Sequence, residues 1–321
     1  MKPRRGGHPR PPLYFELSTL NLELFQAEVF IGPGRNFRES VGQDHPIMTE
    51  RQTPAIVLTV REYGEADLLV TFLTPERGPL TGIAKHARKS RRRFAHCLEP
   101  LSRVVFFLSP KPARDLEFLQ KGELVRSFPS LRRDLKRLGA AALLSEVAGL
   151  LAGPPDALQE IFATLEDALA LLEQGEPPDS LLPAFMLHLM GLGGYRPRLH
   201  HCGGCGAEPE APLAFSLPKG GIFCGACRGK APGPLLSLNP GTWKLLRLAQ
   251  DLPRHKLLRL RFPPQQRDQS LVIFRAFLRY HLGKNLKSWS FWEKVIRPTG
   301  NKGLNSGHTD KISSPEGESH G

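Results

Sequence analysis

The chain has 321 residues and a formal charge of +13, set by 44 Lys and Arg against 31 Asp and Glu. That excess favours a polyanionic partner, either nucleic acid or an anionic membrane surface. No apolar run approaches the roughly twenty residues of a bilayer span, which excludes a membrane-spanning helix and leaves a soluble, cytoplasmic chain as the expectation. The length suits two or three hydrophobic cores.

The first 47 residues open with the basic MKPRRGGHPRPP, and the apolar stretch that follows is broken by Glu16, Glu23 and Glu28. A secretory signal does not tolerate those charges. Met48 stands just ahead of the first strand pattern, so residues 1–47 are expected to be a disordered or non-native N-terminal extension without a function of its own.

Between Ala55 and Phe128 short apolar runs alternate with Gly, Pro and charge. The pattern predicts five strands, at Ala55–Val60, Asp67–Thr74, Gly78–Ala84, Ser102–Leu108 and Leu116–Val125. Leu68, Val70 and Phe72 alternate with Leu69, Thr71 and Leu73, so both faces of the second strand are apolar. Five such strands suggest an OB-like barrel over residues 48–128. An SH3-like barrel or a small open sheet would carry the same signature.

Past Phe128 the apolar period lengthens to that of helices. Ser130 is a candidate cap for a first helix from Leu131, ending at Gly149 or Gly153. Asp156 is the expected start of a second, which Gly175 stops, and Asp179 or Ser180 starts a third reaching Gly191. Two more follow the cysteines, one from Asn239 and Pro240 through Leu248 and one from about Asp268 to Leu282. Their apolar stripes read as core. Residues 129–297 thus form a helical domain, and 298–321, rich in Gly, Ser, Asn and charge, are expected to be a disordered tail.

Inside the helical domain, at 198–230, Cys202-Gly-Gly-Cys205 and Cys224-Gly-Ala-Cys227 are separated by 18 residues, a spacing that suits one tetrahedral zinc ion. Two intervening residues let both thiolates of a pair face one ion, and glycine frees the backbone to turn toward it. Pro212–Ser216 and Ile222–Phe223 can form a hairpin closed at Lys219, Gly220 and Gly221, the layout of a zinc ribbon. Four thiolates would leave no open position for water, so the ion reads as structural; Arg198, His200, His201 and Arg228 are near enough in sequence to offset its charge. The competing readings are a redox dithiol and a site in which His200 or His201 replaces a cysteine. The fifth cysteine, Cys97, is expected to pack as a small hydrophobe.

Directly after the third strand, Lys85, Arg88, Lys89, Arg91, Arg92 and Arg93 fall within nine residues that contain no acid. On the rim of an OB barrel such cations track phosphates, releasing counterions without reading sequence; a solvated charged loop is the plain alternative. Tyr63, Phe72, Phe94, Phe106 and Phe107 are the aromatics in or beside the barrel. Phe94, next to the arginines, is the candidate for base stacking. Further basic clusters lie at Arg132, Arg133, Lys136 and Arg137, and at Arg254, His255, Lys256, Arg259 and Arg261. The motifs GxxxxGK[ST], HExxH and GxSxG are absent, as is a tight carboxylate cluster for two metals, so the chain reads as non-enzymatic.

Taken in order, AIVLTVREYGEADLLVTFLT, the strand at Gly78–Lys85, the helical body and the CGGC and CGAC pairs resemble the recombination mediator family RecO, over about Ala55–Arg297. Tyr63-Gly64-Glu65-x-Asp67 and FSLPKGGIFCGAC are the most specific pieces. The resemblance implies an OB fold that binds single- and double-stranded DNA and anneals complementary strands. It also implies work with RecR in loading RecA onto DNA coated by single-strand-binding protein, and docking of that protein's acidic C-terminal tail on the helical body. It agrees with Cys202, Cys205, Cys224 and Cys227 as zinc ligands, and it places the chain in the RecFOR pathway and beside the nucleoid. The residues alone leave open a zinc-ribbon, OB-fold protein that binds RNA in translation or transcription, and a metalloenzyme with one cysteine free for substrate.

Overall fold

A computed structural model describes residues 51–90, 92–110 and 116–296. The expected arm at 1–47 and the tail at 298–321 lie outside these residues, as does Arg91.

Five strands, β1 (Arg51–Tyr63), β2 (Asp67–Thr74), β3 (Gly78–Ala84), β4 (Arg103–Leu108) and β5 (Glu117–Arg126), close into a barrel in the order β1-β2-β3-β5-β4. Its β3–β5 pair is parallel and the remaining pairs are antiparallel. This closed five-stranded barrel is the expected OB fold. Closure depends on the first strand, which pairs with β4 over Arg51–Ile56 and with β2 over Ile56–Tyr63. β1 exceeds the expected Ala55–Val60 at both ends, where its residues are mostly polar and exposed and so carry no apolar alternation.

A bulge in β1 between Val57 and Thr59 makes Leu58 an extra residue. Val57 stays in the barrel core while Leu58 packs on the helical body. Its side chain comes within 2.8 Å of where a Cβ on Gly149 would sit, so a glycine there permits the close approach. Inside the barrel Phe72 and Phe106 meet edge to face with ring centroids 4.9 Å apart. Cys97 is fully buried beside them, as a small hydrophobe would be.

The helical body comprises α1 (Leu135–Leu151), α2 (Leu158–Gln174), α3 (Pro178–Leu192), α4 (Pro240–Asp251), α5 (Pro264–Leu282) and α6 (Lys287–Ile296). Ser130 does not cap the first of these. Residues Pro129–Arg133 instead make a 3-10 turn, and Asp134 accepts from the Lys136 and Arg137 N–H groups at 2.9 and 3.2 Å. A carboxylate at the positive end of a helix satisfies two orphan donors and adds charge complementarity, which a serine cannot. Asp156 likewise falls in a 3-10 turn, and α2 begins two residues later. Helix α5 starts at Pro264, earlier than expected, because proline suits a first helical position.

The sequence reading missed α6, a helix of ten residues. Its Trp289 and Trp292 are buried, and α1 admits the Trp292 ring at Gly139, where a Cβ would lie 3.2 Å from it. Glu146 caps this helix, accepting from the Lys287 and Ser288 backbone N–H groups at 2.8 Å each.

Between α3 and α4 a small sheet of order β7-β6-β8 forms from β6 (Leu213–Ser216), β7 (Gly221–Phe223) and β8 (Leu235–Leu238). The expected hairpin corresponds to β6 and β7; β8 is an addition. The sheet sits on α5 through Phe215 and Phe277, whose rings are 5.7 Å apart. No helix among the described residues is long and apolar enough to cross a membrane.

Candidate metal centre and nucleic-acid interface

The ligand atoms of Cys202, Cys205, Cys224 and Cys227 all lie within 4.8 Å of one another, so the four cysteines could hold a metal ion. None is in a disulfide, and the Sγ atoms of Cys202 and Cys224 are 3.7 Å apart. The tight turn of the first CxxC pair makes this possible: at Gly204 a Cβ would meet Cys227 at 2.7 Å, and at Gly203 it would meet the Phe223 ring at 2.8 Å. Backbone N–H groups of Gly204 and Cys224 point at the Cys202 sulfur, at 3.4 and 3.3 Å. Burial opposes ionisation of Cys202, yet the N–H groups of Cys224, Cys205 and Gly204 outweigh it and bring its pKa down to about 6. In the same cluster Cys227 is pushed up to about 12, first by its hydrogen bond with the Cys224 thiol and then by burial. His200 turns to Asp251, at 3.2 Å, and is not one of the cluster's ligands.

The basic segment folds over one rim of the barrel. It begins at Lys85, makes a 3-10 turn over Ala87–Lys89, and plugs Ala87 and Phe94 into the barrel core. Two ties fix it. On one side, the His86 N–H donates to Asp67 Oδ1 at 2.7 Å and the Arg88 N–H to the Ala66 carbonyl at 3.1 Å. On the other, Arg93 Nη2 donates to the Lys85 carbonyl at 2.6 Å, and the Gly122 N–H of β5 donates to the Arg93 carbonyl at 2.9 Å. Lys85, Arg88, Lys89, Arg92 and Arg93 are thereby gathered on an exposed ledge. Arg88 is engaged with Glu62 at 3.3 Å. Lys89 and Arg92 have no side-chain partner among the described residues, so their charges face solvent.

Phe94 is corrected as a stacking residue: it is 5% exposed and belongs to the barrel core. An apolar residue flanked by arginines folds inward because the loop needs an anchor. Phe72, Phe106 and Phe107 are buried as well, and of the five aromatics only Tyr63, at the β1–β2 turn, is substantially exposed, at 43%. The other basic clusters are in part committed to acids. Arg132 pairs with Glu99, Arg137 with Asp134, and Arg254 with both Glu160 and Asp167.

One cation beside the ledge escaped the sequence reading. Lys121 of β5 lies with Nζ 4.8 Å from the Phe107 ring centroid, and Lys85 lies similarly over Phe118 at 5.5 Å. The other cation of β5, Arg126, is five residues away, so only the strand register, not a local charge run, reveals Lys121.

With barrel, body and cysteine cluster in place, comparison with known proteins decides the family. The profile described as Recombination protein O N terminal matches residues 48–128, and that of Recombination protein O C terminal matches residues 132–290. The chain belongs to the RecO family. Among its relatives is the DNA repair protein RecO of Syntrophus aciditrophicus (strain SB), 32% identical over 249 residues, covering 77% of this chain and 96% of the relative. The RecO of Pelotomaculum thermopropionicum is 33% identical over 240 residues, covering 75% and 92%. That of Anaeromyxobacter dehalogenans (strain 2CP-C) is 35% identical over 242 residues, covering 75% and 94%. Membership of RecO supports a role in DNA repair and recombination.

Proposed function

We propose that this chain is a non-enzymatic recombination mediator that binds single- and double-stranded DNA and anneals complementary strands without ATP. With RecR it would help load RecA onto DNA coated by single-strand-binding protein. The observation that carries the reading is the ledge at Lys85–Arg93 on the rim of an OB barrel, in a chain of the RecO family. Lys and Arg there neutralise phosphates and lower the repulsion that opposes pairing of two strands, while base pairing selects the partner.

The division of labour follows the expected boundaries. Residues 48–128 hold DNA through Lys85, Arg88, Lys89, Arg91, Arg92 and Arg93. Residues 129–297 form the helical body that meets the acidic C-terminal tail of the single-strand-binding protein. One zinc ion, held by Cys202, Cys205, Cys224 and Cys227 in the knuckle at 198–230, is structural: the four-sulfur set suits zinc and fills its tetrahedral sphere. A cytoplasmic, nucleoid-associated chain is the setting such work requires.

The test is ATP-free annealing of complementary oligonucleotides, bare or coated with the cognate single-strand-binding protein, comparing DNA with RNA. Rapid annealing of coated DNA is expected. Firm binding of RNA without annealing of DNA would replace this reading with that of an RNA-binding protein.

A further inference from the structure

Strand β5 presents a face that the charge run does not include. Leu119 points into the barrel core, so Phe118 before it points outward, and a register irregularity that leaves Gln120 without a partner in β4 resets the alternation and turns Lys121 outward as well. Lys121 sits opposite Phe107, whose strand neighbours Phe106 and Leu108 are the core-facing residues of β4. Phe118 pairs with Ile83 of β3, two residues ahead of Lys85. The loop's anchor at Arg93 joins both ends of this face, accepting from the Gly122 N–H next to Lys121 and donating to the carbonyl of Lys85. Lys85, Phe118, Lys121 and Phe107 are therefore continuous with the ledge rather than a separate patch.

The geometry points to this outward face as the base-contacting half of the site, with Phe118 a stacking residue and Lys121 a phosphate-binding residue for single-stranded nucleic acid. Phe118 is half-buried. Lys85 covers that ring and Lys121 covers Phe107. Each ammonium stands on a flexible stem, so a phosphate, a stronger partner than a ring quadrupole, can draw it away. The Phe118 ring so uncovered meets a base. Lysine over aromatic is thus the resting arrangement, and lysine on phosphate with base on aromatic the bound one. Lys121 also has Glu123 at 2.5 Å, an exposed pair that solvent weakens and that phosphate must displace. A purely structural role, in which each lysine only shields a ring, predicts no effect on binding.

The inference rests on the proposed DNA binding, and the experiment separates the two. Full-length protein is titrated with a single-stranded oligonucleotide and with an abasic oligomer of equal length, which keeps the phosphates and removes the bases. Phe118→Leu should lower affinity for the base-bearing strand about tenfold, the scale of a lost base–aromatic stack, and leave the abasic affinity unchanged. Lys121→Ala should weaken both and reduce the salt slope by about 0.7. In Phe118→Trp the new indole emission should be quenched by the base-bearing strand and not by the abasic one. Wild-type affinity in folded Phe118→Leu, together with an unresponsive Phe118→Trp, would overturn the inference while the DNA-binding reading stands. Failure of the unmodified protein to bind either oligomer would overturn both.

Discussion

The Sγ atoms of Cys202 and Cys224 stand 3.7 Å apart, too far for a disulfide and close to the edge of about 3.8 Å in a tetrahedron built on metal–sulfur bonds of about 2.3 Å. Cys202→Ser should therefore release one metal ion per chain and lower the melting temperature, and a chelator should do the same to the unmodified protein. DNA affinity should suffer less, because the knuckle's sheet packs on α5 of the helical body. Metal analysis alongside thermal melting reads this out; a variant that kept both its metal and its melting temperature would remove the structural role.

The same cluster predicts a direction for pH. Without metal at neutral pH, Cys202 is largely thiolate, its pKa held near 6, and Cys227, at about 12, is a thiol. A metal binds thiolates, so capture at pH 7 must expel the Cys227 proton, and affinity rises with pH. Below about pH 6 Cys202 is protonated too, a further proton competes, and the fall steepens. Adding zinc to metal-free protein in weak buffer should acidify it, and the chelator concentration that strips half the metal should drop as the pH is lowered. A pH-independent midpoint between pH 5 and 8 would contradict this ordering.

How much of this was legible depended on whether the signal is local. The barrel strands announced themselves by alternation, and the metal cluster by two CxxC pairs whose geometry is fixed within a few residues. Helix starts were read less well, since Ser130 and Asp134 both suit a cap and only packing selects between them; Glu173 takes the Ser130 and Leu131 N–H groups at 3.1 and 3.2 Å. Phe94 illustrates a second limit: its charged neighbours suggested a surface role, but loop closure turned its ring inward. Lys121 illustrates a third, because it joins Lys85 only through the β3–β5 and β4–β5 registers, which no window of sequence contains.

The ledge predicts graded effects on salt dependence. Lys89→Ala with Arg92→Ala removes two cations that have no side-chain partner among the described residues, and the slope of log affinity against log salt on single strands should flatten by about 1.4. Arg88→Ala should change it less, since Arg88 already faces Glu62. Arg254→Ala, in contact with Glu160 and Asp167, should leave the slope unmoved. Equal slopes for the double variant and the unmodified protein would take Lys89 and Arg92 out of the interface.

Gly122 carries the last prediction. A Cβ at this position would lie 2.5 Å from the Cys97 sulfur and 3.1 Å from the Phe106 ring, both in the barrel core. Gly122→Ala should destabilise the protein by about 1–3 kcal/mol through overpacking. Because the tighter of the two clashes is with sulfur, Cys97→Ala should recover part of that loss although alone it is itself destabilising, so the double variant should be more stable than the sum of the single changes predicts. Denaturant unfolding of the four proteins measures the coupling. Strict additivity would mean that the strain is absorbed by backbone movement of β5, and the ledge tie at the Gly122 N–H would then be expected to loosen with it.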